Sequence, residues 1–322
     1  MKILVPPGIG DSVWALMKVR SLVRHYQDPE AHIRIACWSP EGHETRALEF
    51  MSRFDVVTSA EMYVMPRDGN AGPCCLPGPQ ADSNGINNYI SDEHHPDLPG
   101  IDVVMIPNRH LEEGKRLEDW LPEYEIDWEI MDRFRFLDRE VADAATVRSN
   151  LGPFAVFFMA SLAGNTFAGH NRGPIWTPEQ WVDLGERLHR EWGLQIVVVG
   201  ADWDRDYYES QIVPIIGRST HWHDRIGAWP IGMTYSIVKK SQMVVAYQSG
   251  VGIVAHYLRI PTAMWWRSKG DSISPTCYVS HDEAMASGWA RPDAVSTGAL
   301  FPCIYGRETV DQIVDHARSH GW

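Results

Sequence analysis

The first 22 residues, MKILVPPGIGDSVWALMKVRSL, contain the pattern that most clearly indicates the fold class. Lys2–Pro6 is a short apolar run typical of a buried strand, and the sequence GIG at 8–10 predicts a turn after it. Asp11 stands at a position typical of a helix N-cap, and apolar residues recur at helical spacing over 13–22. The stretch therefore predicts strand, turn and helix, the repeating unit of a parallel sheet.

The same alternation continues over the first half of the chain. Ile33–Cys37, Asp55–Val57 and Ile101–Ile106 are further strand predictions. The Gly/Pro/Asn-rich stretch from Pro66 to Gly100 cannot hold long regular elements. We interpret it as a surface loop that is either simple decoration or part of the acceptor side of a binding site.

A second α/β block begins near residue 151. Phe154–Ala160 is an apolar strand, and Thr177 with Gln180 forms a capping box that opens a helix through Trp192. The remaining predicted elements are the strands Leu194–Gly200, Met243–Tyr247 and Pro261–Trp266, and the helices Ile231–Lys240, Ile253–Leu258 and Glu308–His320.

Two such blocks predict an α/β protein of two doubly wound, Rossmann-like domains that face each other across a cleft. We expect one domain over 1–150 and a second domain over 151–322. The last helix either stays in the second domain or packs back on the first. Ligands of such sheets bind beyond the carboxyl ends of the strands, so functional residues are expected in the turns that follow them.

Composition narrows the class of protein. The hydrophobic fraction of 44% and the charged fraction of 22% are those of a globular chain. We see no run long enough for a membrane helix and no signal peptide, and five cysteines without metal or redox spacing favour a cytoplasmic protein. The net charge of −13 disfavours nucleic acid as a partner. Most of the fourteen tryptophans are expected to be packing residues.

Three glycine- or polar-rich turns are the candidate sites. Gly8 and Gly10 let a ligand approach the backbone, and Asp11 beside them is a candidate general base as well as a helix cap. A dinucleotide site is disfavoured because the third glycine of its motif is replaced by Val13. The turn after Tyr247 predicts a phosphate cradle built from Gln248, Ser249, Gly250, Val251 and Gly252.

The third candidate turn is the polar loop at 161–176. In it, Arg172 is suited to neutralise a diphosphate leaving group, although a solvated arginine is an equal alternative. The other polar side chains of this loop are Ser161, Asn165, Thr166, His170 and Asn171. None of the histidines has metal-ligand spacing with a carboxylate, so the sequence predicts no metal site.

In this order, the motifs resemble those of the ADP-heptose-dependent heptosyltransferases, which have the GT-B fold. The matching stretches are GIGD at 8–11, WTPEQW at 176–181, QSG at 248–250 and RIPT at 259–262. Two positions depart from the family pattern: Gln248 replaces an acidic residue and Ile253 replaces a histidine. Arg172 stands only near a phosphate-contacting lysine of the family.

The resemblance implies an inverting glycosyltransferase that uses a nucleotide-diphosphate sugar and needs no metal or other cofactor. The domain over 1–150 would be the acceptor side, and the domain over 151–322 would bind the nucleotide sugar. Asp11 would deprotonate the acceptor hydroxyl, Gly8 and Gly10 would contact the donor, and Ser249, Gly250 and Val251 would hold the diphosphate. Trp229 to Met233 would line the base and ribose. Two alternatives stay open: transfer to a modified base in nucleic acid, and a catalytically silent nucleotide-sugar-binding protein.

Overall fold

The computed structural model describes residues 1–37, 45–65, 98–112, 115–159, 176–265, 281–302 and 307–321. The chain divides into two compact units, Met1–Arg135 and Phe136–Trp322. This division lies earlier than the predicted boundary at residue 150. The reason is that the helix Asp138–Leu151 packs along the helix Ile231–Lys240 and so belongs with the second half of the chain.

The first unit contains a parallel sheet in the order β3-β2-β1-β4. Its strands are β1 (Lys2–Val5), β2 (His32–Cys37), β3 (Ser59–Val64) and β4 (Val103–Val104). Its helices are α1 (Ile9–His25), α2 (Thr45–Met51) and α3 (Pro107–Glu112), with a 3-10 turn at Ile130–Arg133. Apart from Lys2, the residues of β1 are buried, as expected for a central strand.

Two strand predictions in this unit were misplaced. The third strand is not Asp55–Val57 but β3, because Phe54 is part of a buried aromatic group with Phe50 and Phe134, and the chain turns there. The strand predicted at Ile101–Ile106 shrinks to β4, because a turn precedes it and Pro107 starts α3.

The second unit contains a parallel sheet in the order β7-β6-β5-β8-β9. Its strands are β5 (Phe154–Phe158), β6 (Gln195–Val198), β7 (Trp222–Asp224), β8 (Met243–Tyr247) and β9 (Thr262–Trp265). Its helices are α4 (Asp138–Leu151), α5 (Pro178–Trp192), α6 (Ile231–Lys240), α7 (Gly250–Tyr257), α8 (His281–Ala286) and α9 (Arg307–Ser319). Between β6 and β7 the chain is helical over 205–216, with a π-helical turn at Tyr208–Ile212. Two parallel sheets flanked by helices confirm the predicted α/β class.

Helix α5 begins as the sequence predicts. The Thr177 hydroxyl accepts the Gln180 N–H at 3.3 Å, and the Gln180 side chain accepts the Thr177 N–H at 2.8 Å. The last helix, α9, packs on α5 through the ion pairs Arg187–Asp311 and Arg318–Glu191. It therefore packs within the second unit.

Tryptophan side chains fill the space between α5 and the sheet of the second unit. The rings of Trp176, Trp181 and Trp265 lie 4.3–5.1 Å apart, centroid to centroid, and all three are buried. Their roles are in packing, as expected for most tryptophans of the chain. Among the described helices, none has the length and apolar content needed to cross a bilayer.

Candidate functional site

Each sheet has one point at which the order of strand addition reverses. In the first unit it lies between β1 and β4, and in the second unit between β5 and β8. Ligands of open parallel sheets bind at the carboxyl ends of the strands at this point. The turns that follow β1 and β8 start α1 and α7 there, so the two glycine-containing motifs of the sequence lie where ligands are expected.

The turn after β1 places Gly8, not Asp11, at the N-cap of α1. Gly8 is extended, with φ −70° and ψ 128°, and its carbonyl accepts the N–H of Ser12 at 2.8 Å. Asp11 is the third residue of the helix, so its assignment as the cap was wrong. A carboxylate in the first turn still interacts favourably with the positive end of the helix dipole.

The Asp11 side chain folds back toward the start of the helix. Its Oδ2 lies 2.6 Å from the position that a Cβ atom would take at Gly8, so only glycine leaves this carboxylate its place. Asp11 is half-buried and Gly10 is buried. A partly exposed carboxylate at the carboxyl end of a central strand can accept a proton from a ligand bound there.

The turn after β8 presents backbone donors at the start of α7. Ser249 is the N-cap, and its hydroxyl accepts the N–H of Gly252 at 3.3 Å. Gly250 and Val251 are the first two residues of the helix, where N–H groups have no acceptor within the helix. Both residues are half-buried. Two N–H donors at the positive end of a helix suit an anionic oxygen.

Gly252 has a packing role that its assignment to the donor site did not include. Its N–H is already bonded to Ser249, and a Cβ there would lie 2.6 Å from the Met264 sulfur and 3.2 Å from the Tyr247 carbonyl oxygen. The glycine lets α7 pack closely on β8 and β9. The motif therefore combines a cradle of N–H groups with a packing glycine.

Gln248 joins this turn to the neighbouring strand. Its backbone N–H donates to the Trp265 carbonyl at 3.1 Å, which fixes the turn on the end of β9. Its side-chain Oε1 is buried and accepts no hydrogen bond from the described residues. An acceptor of this kind beside the cradle suits a ligand hydroxyl or amide N–H.

The segment from Trp229 to Met233, which is expected to line a base and ribose, contains one half-buried residue and one buried residue that bear on this prediction. Trp229 is half-buried, and the guanidinium of Arg225 lies 5.8 Å from its ring centroid. Met233 is only 6% exposed and belongs to the core, and its contact with a donor stays a prediction. It lies on the inward face of α6, which a single segment of sequence cannot distinguish from a binding face.

Glu140, a residue of α4, was missed in the sequence. Its buried carboxylate lies against the start of α6. Glu140 is 3% exposed, its Oε2 accepts the Leu137 N–H at 2.9 Å, and both carboxylate oxygens lie against Gly232. It therefore supplies a negative charge at the first turns of both α4 and α6. Two features of the sequence could have indicated this contact: a glutamate at the third position of α4, and a glycine inside α6.

The candidates Ser161, Asn165 and Arg172 lie outside the described residues. Within the described ranges, no group of three or more His, Cys, Asp or Glu side chains is arranged to hold a metal ion.

No protein-family model matches the chain, and no curated protein sequence matches it. Solved structures do match. The chain is similar to ADP-heptose LPS heptosyltransferase II of E. coli at 14% identity and a TM-score of 0.58, over 99% of this chain and 98% of that one. It is also similar to a family 9 glycosyl transferase from Veillonella parvula DSM 2008 at 12% identity and a TM-score of 0.56, over 99% and 96% of the two chains. These likenesses span nearly the whole of each chain and show that this chain has the GT-B fold of heptosyltransferases.

Proposed function

We propose that the chain is a glycosyltransferase that moves a sugar from a nucleotide-diphosphate donor to an acceptor hydroxyl. The observation that carries the proposal is the start of α7, where the N–H groups of Gly250 and Val251 lie at the switch point of the second sheet. The fold shared with the ADP-heptose LPS heptosyltransferase II of E. coli supports the same activity.

The chemistry proposed for the first unit is general base catalysis by Asp11. As the acceptor oxygen attacks the anomeric carbon, its proton passes to the Asp11 carboxylate. The bond between that carbon and the diphosphate oxygen breaks, and the nucleotide diphosphate leaves with the bonding electron pair. A single displacement of this kind inverts the anomeric configuration. The half-buried position of Asp11 at the carboxyl end of β1 supports this role.

The role proposed for the second unit is to bind the donor. Gly250 and Val251 hold the departing diphosphate, and the helix dipole stabilises its charge without a metal ion. From the sequence alone, Arg172 would add a positive charge, and Ser161 and Asn165 would contact the donor. Trp229 lines the base, and Gln248 accepts a hydrogen bond from the donor.

A binding protein without turnover is the second candidate. It is favoured by Ile253, which is 3% exposed and replaces the histidine that the resemblance leads us to expect. Transfer to a base in nucleic acid is disfavoured by the net charge of −13. The five cysteines without pairing spacing support a cytoplasmic location for either protein.

A thermal-stability screen of nucleotide sugars tests the proposal. A donor that binds the native state raises the melting temperature. We expect stabilisation by at least one nucleotide-diphosphate sugar, followed by transfer or slow hydrolysis of that sugar in EDTA. Stabilisation without either reaction would favour the binding protein, and activity restored only by Mg²⁺ or Mn²⁺ would refute the metal-free mechanism.

A further inference from the structure

Two histidine rings accept hydrogen bonds from the backbone of the segment 281–302. Nε2 of His256, in α7, accepts the N–H of Arg291 at 2.9 Å. Nδ1 of His281, at the start of α8, accepts the N–H of Phe301 at 3.1 Å. The Phe301 ring contacts both imidazoles, with centroids 5.1 Å from His256 and 5.7 Å from His281. We call His256, His281 and Phe301 the imidazole latch.

The latch holds a segment that extends the sheet of the second unit. Leu300 pairs with Ala263 of β9, because its N–H donates to the Thr262 carbonyl at 2.8 Å and its carbonyl accepts the Met264 N–H at 2.9 Å. The Tyr257 hydroxyl of α7 donates to the Trp289 carbonyl at 2.5 Å. The segment therefore covers both α7 and the edge of the sheet at β9.

Both backbone bonds require uncharged imidazoles. A ring nitrogen accepts a hydrogen bond only when it carries no proton, and imidazolium carries a proton on both nitrogens. Protonation would place two N–H donors face to face at Arg291 and at Phe301. Burial, with a contribution from the Arg291 charge, lowers the pKa of His256 to about 3, and burial also lowers the pKa of His281.

The charged groups around the latch do not reverse the lowering of the pKa of His256 and His281. Asp293 is the carboxylate that acts on His256, but it is shared between Arg291 at 2.8 Å and Arg259 at 3.3 Å. Asp282 raises the pKa of His281 less than burial lowers it. His316 lies near His281, with its ring tilted against that of His320, and its Nε2 donates to the Gly298 carbonyl at 3.1 Å. Burial lowers the pKa of His316 as well.

We propose that the imidazole latch is a pH-sensitive device that keeps 281–302 closed on α7 and β9 at neutral pH and raises the population of the open segment in mild acid. In the open segment a histidine regains a pKa near 6.5 and binds a proton, which pulls the equilibrium toward opening. Consider one histidine that is fully neutral in the closed segment. At pH 5, its proton binding in the open segment alone increases the population of the open segment about 30-fold relative to neutral pH. The hydrogen bond from His316 to the Gly298 carbonyl survives protonation of His316, because the ring nitrogen is the donor in it.

Native-state hydrogen exchange tests the proposal, with rates corrected for the intrinsic effect of pH. Between pH 7.5 and pH 5, we expect protection of the Arg291 amide to fall about 30-fold, and protection of the Phe301 amide to fall in the same direction. The amides of β5 and β6 should keep their protection. Unchanged protection at both sites would overturn the proposal, as would an equal loss throughout the unit, since that is global unfolding.

Variants separate the latch from general acid sensitivity. Glutamine accepts an N–H bond at any pH, so His256→Gln should remove most of the pH dependence at Arg291. His316→Gln is the matched control, because His316 contacts the same segment as a donor, and it should leave the dependence at Arg291 in place. Equal responses of the two variants would contradict the latch, and if His256→Gln does not fold, the wild-type exchange data decide.

Discussion

The Asp11 carboxylate occupies the space that a side chain at Gly8 would need, with Oδ2 2.6 Å from the ideal Cβ position. The glycine at the N-cap and the carboxylate three residues later are therefore parts of one arrangement. The arrangement lies at the carboxyl end of β1, beside the switch point of the first sheet, where ligands of such sheets bind.

Gly8→Ala tests this arrangement directly. The new methyl group displaces the end of a flexible side chain rather than the backbone, so we expect little loss of stability. Turnover should fall by about 10- to 100-fold, because a misplacement near 1 Å has effects of this size. Steady-state kinetics of Gly8→Ala, Asp11→Asn and the double variant check it. The two effects should not add, and full additivity would mean that Gly8 acts independently of Asp11.

Asp11→Asn should lower turnover by about 10²- to 10⁴-fold, the usual contribution of a positioned base. Donor affinity, measured by calorimetry, should not change, because the proposed role of the Asp11 carboxylate is toward the acceptor hydroxyl and not toward the donor. The melting temperature should change little, since asparagine retains a side-chain oxygen near the start of α1. Wild-type turnover in the purified variant would leave Asp11 with a structural role only.

Gly252→Ala should destabilise the protein by about 1–3 kcal/mol, the usual cost of overpacking a close contact. The reason is that the Cβ would lie 2.6 Å from the Met264 sulfur. Chemical denaturation measures the free energy of unfolding, and calorimetry should show unchanged affinity for the donor nucleotide. A loss of affinity with unchanged stability would assign Gly252 to the cradle instead.

Stability should depend on the protonation of Lys18. Its side chain is fully buried, its Nζ donates to the carbonyls of Trp120 and Leu121, and burial lowers its pKa from 10.5 to about 8. The unfolded chain therefore binds more protons between these two values, so stability should rise with pH across this window by up to about 1.4 kcal/mol per unit. Urea midpoints at pH 8 to 9.5 should rise in the wild type relative to Lys18→Met, and parallel slopes would contradict the assignment.

The helix start and the turns that depend only on neighbouring residues were predicted from short sequence patterns. The capping box of Thr177 and Gln180 forms as expected, and both glycine turns follow central strands. These features depend on neighbouring residues, so a short stretch of sequence contains the information that they require.

Features that depend on distant contacts were missed or misplaced. The position of Glu140 against Gly232 joins α4 to α6, and the boundary between the units follows from the same packing. Met233 was assigned to the site by the family resemblance, which does not show that its side chain is buried in the core. The packing role of Gly252 depends on Met264, which belongs to the next strand.

The most direct test of the central claim is calorimetric titration of ADP, UDP and GDP, in EDTA, into the wild type and Gly250→Val. We expect at least one of the three nucleotides to bind the wild type. A branched side chain at the first position of α7 should obstruct the N–H groups that hold the diphosphate. The dissociation constant should rise at least tenfold, about 1.4 kcal/mol, with only a modest loss of stability. No binding to the wild type, or equal constants for the two proteins, would contradict a donor site at the start of α7.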